Sequence, residues 1–166
     1  MAHHSGVPFT VARPHNVYGP RMGLAHVIPE LLQRAHYSVD GRLEVYSVDH
    51  RRTFCYIDDA VEMLVRALEA PGGSGETLNI GRQAPEVAIR AVAQVVAEVV
   101  GKDLEIVPMP PTPGSPVRRC PDMSKTLELT GYAPRVELED GIRRTYQAYR
   151  DNVFDAAAPA ARAAIG

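Results

Sequence analysis

The chain has 166 residues, of which 45% are hydrophobic and 23% are charged, so it can form a domain with a substantial core. Its formal net charge of −2 gives no support for nonspecific nucleic-acid binding or for a polybasic membrane patch. No apolar run reaches about 18 residues, so no transmembrane helix is predicted.

The first predicted element is a strand at Phe9–Ala12, a β-rich run that is closed by Arg13 and Pro14. A loop then leads to a helix whose apolar residues recur at spacings of three and four: Val27, Ile28, Leu31, Leu32 and Ala35. Two further short strands are predicted at Leu43–Tyr46 and Phe54–Ile57.

The next predicted helix follows Asp58 and Asp59, and either of them is a suitable N-cap. By helical spacing, its apolar face consists of Val61, Leu64, Val65 and Leu68. A strand at Thr77–Ile80 ends at Gly81, and a helix over residues 86–100 ends at Gly101.

The last elements are a strand at Leu104–Val107, a Pro-rich loop at 108–116, a short helix near 124–129 and a helix over 138–150. We interpret residues 151–166, which have little to bury, as a flexible tail. Because strands and helices alternate, the predicted class is α/β.

The two cysteines, Cys55 and Cys120, form neither a CxxC pair nor a zinc-binding pattern. We therefore expect reduced thiols, no metal site and a cytoplasmic location. The first residues lack the charged and apolar regions of a signal peptide, in agreement with that expectation.

Four motifs follow one another along the chain. The first is Arg13-Pro-His-Asn16-Val-Tyr-Gly-Pro-Arg21, the second is Arg52-Thr-Phe-Cys-Tyr-Ile-Asp58-Asp59, and the third is Leu78-Asn-Ile-Gly81. The fourth runs from Arg119-Cys-Pro-Asp122-Met-Ser-Lys125 through Leu129-Thr-Gly-Tyr-Ala-Pro134 to Leu138-Glu-Asp-Gly-Ile142.

In this order, the motifs resemble those of the extended short-chain dehydrogenase/reductase family, in particular its NAD-dependent sugar-nucleotide epimerases and dehydratases. The resemblance implies that residues 1–150 form the C-terminal substrate-binding part of an extended short-chain dehydrogenase (Rossmann-type) fold, with short strands and about five helices. The implied partner is a nucleoside-diphosphate sugar, and the implied cofactor of the complete enzyme is NAD.

The resemblance also implies roles for individual residues. Arg52 and Arg119 would grip the diphosphate from opposite sides, a task for which the planar guanidinium is well suited. The other implied substrate-binding residues are Asn16, Arg21 and Val27. The implied cofactor-binding residues are Pro14 and His15, whose backbone would pass beside the nicotinamide.

Several residues near these positions have simpler interpretations. We interpret Arg51 and Arg118 as solvated charges. Arg21 either contacts the substrate or only holds its loop, and the sequence leaves both open. Asp59 fits a helix cap and loop anchor better than a catalytic acid.

Catalysis in this family needs a tyrosine with a lysine four residues later, and none of the 7 tyrosines has one. The glycine cluster at 72–75 follows a predicted helix instead of a strand, so it does not match the NAD-binding fingerprint either. We therefore predict no catalytic residue in this chain.

We predict that the chain binds the sugar nucleotide as part of an enzyme that transfers a hydride transiently to NAD. The alternatives are a stand-alone sugar-nucleotide binding module and an inactive fragment. We expect no nucleic-acid or membrane partner, and we expect self-association through exposed strand or helix surfaces.

Overall fold

The computed structural model describes residues 7–156, and these fall into two compact units. Unit 1 takes its described residues from 7–17, 52–86 and 119–136. Unit 2 takes its described residues from 18–51, 87–118 and 137–156. The chain therefore passes from one unit to the other repeatedly, and each unit is made of three separate segments.

The described residues contain nine short strands and five α-helices. In chain order the strands are β1 (Val11–Pro14), β2 (Val17–Tyr18), β3 (Arg42–Tyr46), β4 (Arg51–Arg52), β5 (Cys55–Tyr56), β6 (Thr77–Ile80), β7 (Val87–Ala88), β8 (Glu105–Met109) and β9 (Arg118–Arg119). The helices are α1 (Val27–Tyr37), α2 (Ile57–Glu69), α3 (Ile89–Val100), α4 (Ser124–Thr130) and α5 (Leu138–Tyr149), and a π-helical turn follows at Arg150–Phe154. This confirms the predicted α/β class with short strands and about five helices.

Unit 1 is built on the parallel strands β1 and β6, which pair in a register that places Val11 opposite Thr77 and Pro14 opposite Ile80. The helices α2 and α4 belong to the same unit and contact each other. Its core consists of Cys55, Ala60, Met63, Ala67, Leu78, Ile80, Met123 and Tyr132.

Both cysteines are free thiols. Burial is the main reason that the pKa of the Cys55 thiol rises to about 12.

Helix α2 differs from its prediction in two ways. It begins at Ile57 with Tyr56 as its N-cap, so the prediction that Asp58 or Asp59 caps the helix is wrong. Its buried side chains are Asp59, Ala60, Met63 and Ala67, whereas the predicted apolar face is largely exposed. The two alanines explain the difference, because small side chains let the helix approach the strands beneath it closely.

The result is an open apolar surface on unit 1. All four residues of β1 are exposed, although parallel strands are usually covered on both faces. On α2, Val61, Val65 and Leu68 are 49%, 44% and 74% exposed. A cavity of about 110 Å³ lies on this surface, lined by Thr10, Ala12, Leu64, Ala67, Leu68, Leu78 and Ile80.

Unit 2 is built on the parallel strands β3 and β8, with Arg42 opposite Glu105 and Tyr46 opposite Met109. The helices α1 and α5 both pack on α3. Leu43 and Val45 alternate with exposed neighbours along β3 and point into the core of this unit. Helix α3 ends at Gly101, which has a φ of 75°, as predicted for a glycine C-terminal stop.

One residue of the predicted tail is part of the folded unit. Phe154 is only 1% exposed, because the π-helical turn brings its ring against His36 and Tyr149. The interpretation that the chain after residue 150 has little to bury is therefore wrong at Phe154. Residues 157–166 of the predicted tail lie outside the described residues.

Within residues 7–156, no helix combines the length and the hydropathy that crossing a membrane would require.

We expect the chain to self-associate through the open surface of unit 1, because an uncovered strand and an apolar helix stripe favour pairing with another chain. Replacing both Val65 and Leu68 by glutamate should lower the average molar mass in solution, since the added charges repel each other. Size-exclusion chromatography with multi-angle light scattering measures this mass.

The matched control is Val39→Glu, which changes a fully exposed valine in unit 2 and should leave the mass unchanged. A wild-type chain that stays monomeric over a wide concentration range would contradict the expectation.

Candidate functional site

Two arginines of unit 1 lie side by side. Arg52 ends β4 and Arg119 ends β9, and the backbone N–H of Thr53 donates to the carbonyl of Arg119 at 3.4 Å. Arg52 is 7% exposed, whereas Arg119 is exposed. Burial is the main cause that lowers the pKa of Arg52, and the charge of Arg119 lowers this pKa further. The two guanidinium groups are therefore close enough to repel each other.

One carboxylate acts on this pair, and a second follows it closely in the sequence. Glu86 acts on Arg52 and raises the pKa of its guanidinium. Asp122 follows Arg119 closely in the chain, but its Oδ1 accepts hydrogen bonds from the backbone N and the Oγ of Ser124, at 2.9 and 2.7 Å. These two bonds lower the pKa of Asp122 and fix its carboxylate at the start of α4. A pair of arginines of this kind can bind an anionic ligand with several hydrogen bonds.

Asn16 fixes the chain next to Arg52. Its Nδ2 donates to the carbonyl of Thr53 at 2.9 Å, and its own carbonyl accepts from the N–H of Cys55 at 3.2 Å. Its φ is +44°, in the left-handed region that asparagine tolerates better than most residues. The first motif thus supports the backbone of the second.

The first motif also meets the third and fourth motifs at the end of β6. The N–H of His15 donates to the carbonyl of Ile80 at 2.8 Å, and His15 Nε2 lies 3.1 Å from Asn79 Oδ1. Asn79 Nδ2 donates to the carbonyl of Asp122 at 2.8 Å. A Cβ atom at Gly81 would lie 3.1 Å from the Cβ of His15, a tight contact that favours glycine at this close approach. Asn79 thus links the segment of His15 to the segment of Asp122.

The remaining predicted site residues belong to unit 2. Arg21 has a φ of +66° and lines a cavity of about 350 Å³ together with Pro20, Ala148, Tyr149, Asn152 and Val153. Val27 is the first residue of α1 and is 38% exposed. The structure therefore brings Pro14, His15, Asn16, Arg52 and Arg119 into unit 1, and it places Arg21 and Val27 in unit 2.

Comparison with known proteins identifies the family. A sequence model described as the NAD-dependent epimerase/dehydratase family matches residues 1–81. UDP-glucuronic acid decarboxylase 6 from Arabidopsis thaliana is 34% identical over 143 residues, which cover 82% of this chain and 39% of that protein. The chain belongs to the NAD-dependent epimerase/dehydratase family. The resemblance to extended short-chain dehydrogenases is thereby confirmed.

Two solved structures of the family show the same fold. UDP-glucose 4-epimerase from Thermotoga maritima, solved with UDP-glucose, is 30% identical with a TM-score of 0.79, and the match covers 92% of this chain and 49% of that one. UDP-glucuronic acid 4-epimerase from Bacillus cereus, solved with UDP-glucuronic acid and NAD, is 28% identical with a TM-score of 0.80, and the match covers 90% of this chain and 48% of that one. The chain thus spans about half the length of these structures and about two fifths of the decarboxylase.

The described residues do not form the phosphate cradle that NAD needs. Such a cradle is a glycine turn from a strand directly into a helix, where backbone N–H groups face the pyrophosphate. The glycines at 72–75 instead follow α2 and precede β6. Packing explains one of them, because a Cβ at Gly73 would lie 2.3 Å from the carbonyl oxygen of Ala67. The described residues also include no group of three or more His, Cys, Asp or Glu that could hold a metal ion.

Asp59 is a buried loop anchor, as interpreted from the sequence. It is 2% exposed, and its carboxylate accepts from the Tyr132 hydroxyl at 2.7 Å and from the N–H groups of Arg135 and Val136 at 3.0 and 2.9 Å. Burial, followed by the bond to Asp59, raises the pKa of Tyr132 to about 12. Sequence reasoning missed Tyr132 and Glu86, because their partners lie far away in the chain and no spacing pattern connects them.

We expect Asp59→Ala to lower the free energy of unfolding by about 2–4 kcal/mol, because it leaves a hydroxyl and two N–H groups without their acceptor. Chemical denaturation followed by circular dichroism measures this change. Asp58→Ala is the control, since Asp58 is exposed, and should cost about 0.5 kcal/mol or less. Equal effects of the two variants would show that Asp59 does not anchor the segment.

Proposed function

We propose that this chain is the substrate-binding half of an NAD-dependent sugar-nucleotide epimerase, dehydratase or decarboxylase. Arg52 and Arg119 would bind the diphosphate of the substrate. The observation that carries the proposal is the pair itself, a buried arginine next to a second one whose positive charge acts on it. A diphosphate supplies negative charge and several acceptor oxygens, which a pair of arginines can bind.

The comparisons support a nucleotide sugar as the ligand class. The relatives are an enzyme described as a UDP-glucuronic acid decarboxylase and two 4-epimerases solved with UDP-sugars. Because their chemistry differs while they share this family, they support the substrate class and not one reaction.

The other predicted residues receive roles within this proposal. Asn16 would contact the phosphate or the sugar with the part of its amide that does not bind Thr53. Arg21 would either contact the substrate or hold its loop, and Val27 would lie near the nucleotide base or the diphosphate. Pro14 and His15 would pass their backbone beside the nicotinamide of NAD. The rest of the NAD site would come from residues other than those described.

The arginine pair can be tested in a complete enzyme that contains this segment. Arg52→Ala and Arg119→Ala should each weaken binding of UDP about 10- to 150-fold, because a charge-assisted hydrogen bond contributes about 1.5–3 kcal/mol. Isothermal titration calorimetry measures the affinity, and circular dichroism verifies that each variant is folded.

Arg51→Ala and Arg118→Ala are the matched controls, since both residues are exposed neighbours of the pair. Each should change the affinity by less than about fivefold, as expected for a solvated charge worth roughly 0–1 kcal/mol. Equal affinities of all four folded variants would disprove the proposed diphosphate site.

We also expect no turnover from the 166-residue chain by itself, because its sequence contains neither the tyrosine–lysine pair nor the glycine loop for NAD. Proton NMR of UDP-glucose or UDP-glucuronic acid incubated with the chain and NAD would detect epimerised or decarboxylated products. A complete family member run in parallel shows that the assay works. Product formed by the purified chain alone would contradict this expectation.

A further inference from the structure

A histidine of unit 2 joins helix α1 to the end of the described chain. His36 lies near the C-terminal end of α1, and its side chain is 18% exposed. Its Nδ1 lies 3.0 Å from the Tyr146 hydroxyl, and its Nε2 lies 3.5 Å from Asp155 Oδ1. Its ring packs on Phe154 with 4.9 Å between the ring centroids. One imidazole therefore contacts α5, the π-helical turn and the residue that follows the turn.

The π-helical turn is held to α1 at a second point. The Tyr37 hydroxyl donates to the carbonyl of Phe154 at 3.0 Å, and the Phe154 ring is almost fully buried. The neighbouring residues of the turn are exposed. Phe154 thus attaches the turn to α1 through His36 and Tyr37, and its ring also packs on Tyr149 of α5.

The same turn forms one wall of the cavity that contains Arg21. Asn152 and Val153 are residues of the turn, and both line this cavity. Just before the turn, the Tyr149 hydroxyl donates to the carbonyl of Met22, the residue after Arg21. A movement of the turn would therefore change the cavity that contains Arg21.

We propose that His36 is a pH-sensitive latch that holds the π-helical turn against α1 when its imidazole is neutral, and that protonation of His36 releases the turn and opens the Arg21 cavity. The neutral ring suits the latched state, because with the proton on Nε2 it can accept from the Tyr146 hydroxyl and donate toward Asp155. Both ring nitrogens are then satisfied without a buried positive charge.

The charges around His36 set the direction of the effect. Burial is the largest cause that lowers its pKa, Asp155 raises it, and the positive charges of Lys102 and Arg150 lower it again. Lys102 is fixed nearby, since its Nζ donates to the carbonyls of His36 and Ser38. Asp155 is 61% exposed, so water screens its compensating charge. The pKa of the latched His36 is therefore below its ordinary value of 6.5.

A lowered pKa means that the released state binds the proton more readily than the latched state. The latch is then at full strength above pH 6.5, where His36 is neutral in both states. As the pH falls through the lowered pKa of the latched form, the latch weakens. Tyr146 does not contribute to this change, because burial raises the pKa of its hydroxyl and keeps it protonated.

Hydrogen-exchange mass spectrometry on the full chain tests the latch. Peptides that cover residues 148–156 are compared at about pH 7.5 and pH 5.5, after correction for intrinsic exchange rates. We expect protection in this segment to fall by about threefold or more at the lower pH. In His36→Gln the protection should be the same at both pH values, since glutamine does not titrate. His26→Gln, which changes an exposed histidine of the same unit, should behave like the wild type.

A second variant keeps the test decisive if His36→Gln loosens the turn at both pH values. Asp155→Asn retains His36 but removes the carboxylate that stabilises the protonated imidazole in the latched state. The loss of protection at low pH should therefore become larger than in the wild type. Wild-type protection that does not depend on pH, a dependence that persists in His36→Gln, or an unchanged or smaller dependence in Asp155→Asn would each overturn the proposal.

Discussion

The candidate site depends on one arrangement, a buried arginine beside a second positive charge. Removing a charged group from water is unfavourable unless hydrogen bonds and opposite charge compensate for it. Glu86 supplies part of this compensation within unit 1. The contacts of Asn16 and Thr53 hold the backbone next to Arg52. If the proposed diphosphate site is correct, an arginine held in this way would lower the entropy cost of binding an anion.

Much of each motif serves to hold the backbone. Gly81 allows β6 to pass close to His15, Asn79 links that point to the segment of Asp122, and Asp59 fixes the loop at residues 135–136. These residues explain why the motifs occur together, since the end of β6 is the place where three of them meet. Membership of a motif therefore does not by itself indicate that a residue contacts the ligand. The side chain must also be directed to the site.

The sequence predicted the elements well where local chemistry decides them. The strand at Thr77–Ile80 and the stop at Gly101 follow from β-propensity and from the left-handed conformation that glycine adopts easily. The buried face of α2 could not be predicted from hydrophobicity, because the smaller alanines, and not Val61, Val65 and Leu68, face the core. Phe154 was missed for a similar reason, since one aromatic residue in an alanine-rich segment gives no periodic signal. The proximity of Arg52, Arg119 and Glu86 is a property of the tertiary structure, and only the family resemblance pointed to the two arginines.

The alternation of the chain between the two units has a consequence for how the protein folds. Neither unit is a continuous stretch of sequence, so no single cut releases one of them intact. The contacts that define unit 1, such as Tyr132 with Asp59, join residues 73 positions apart. Such a topology has a high contact order, because long loops must close before the stabilising contacts can form. The molecule is therefore expected to fold slowly and as a whole, and its incomplete intermediates would expose the apolar strands to aggregation.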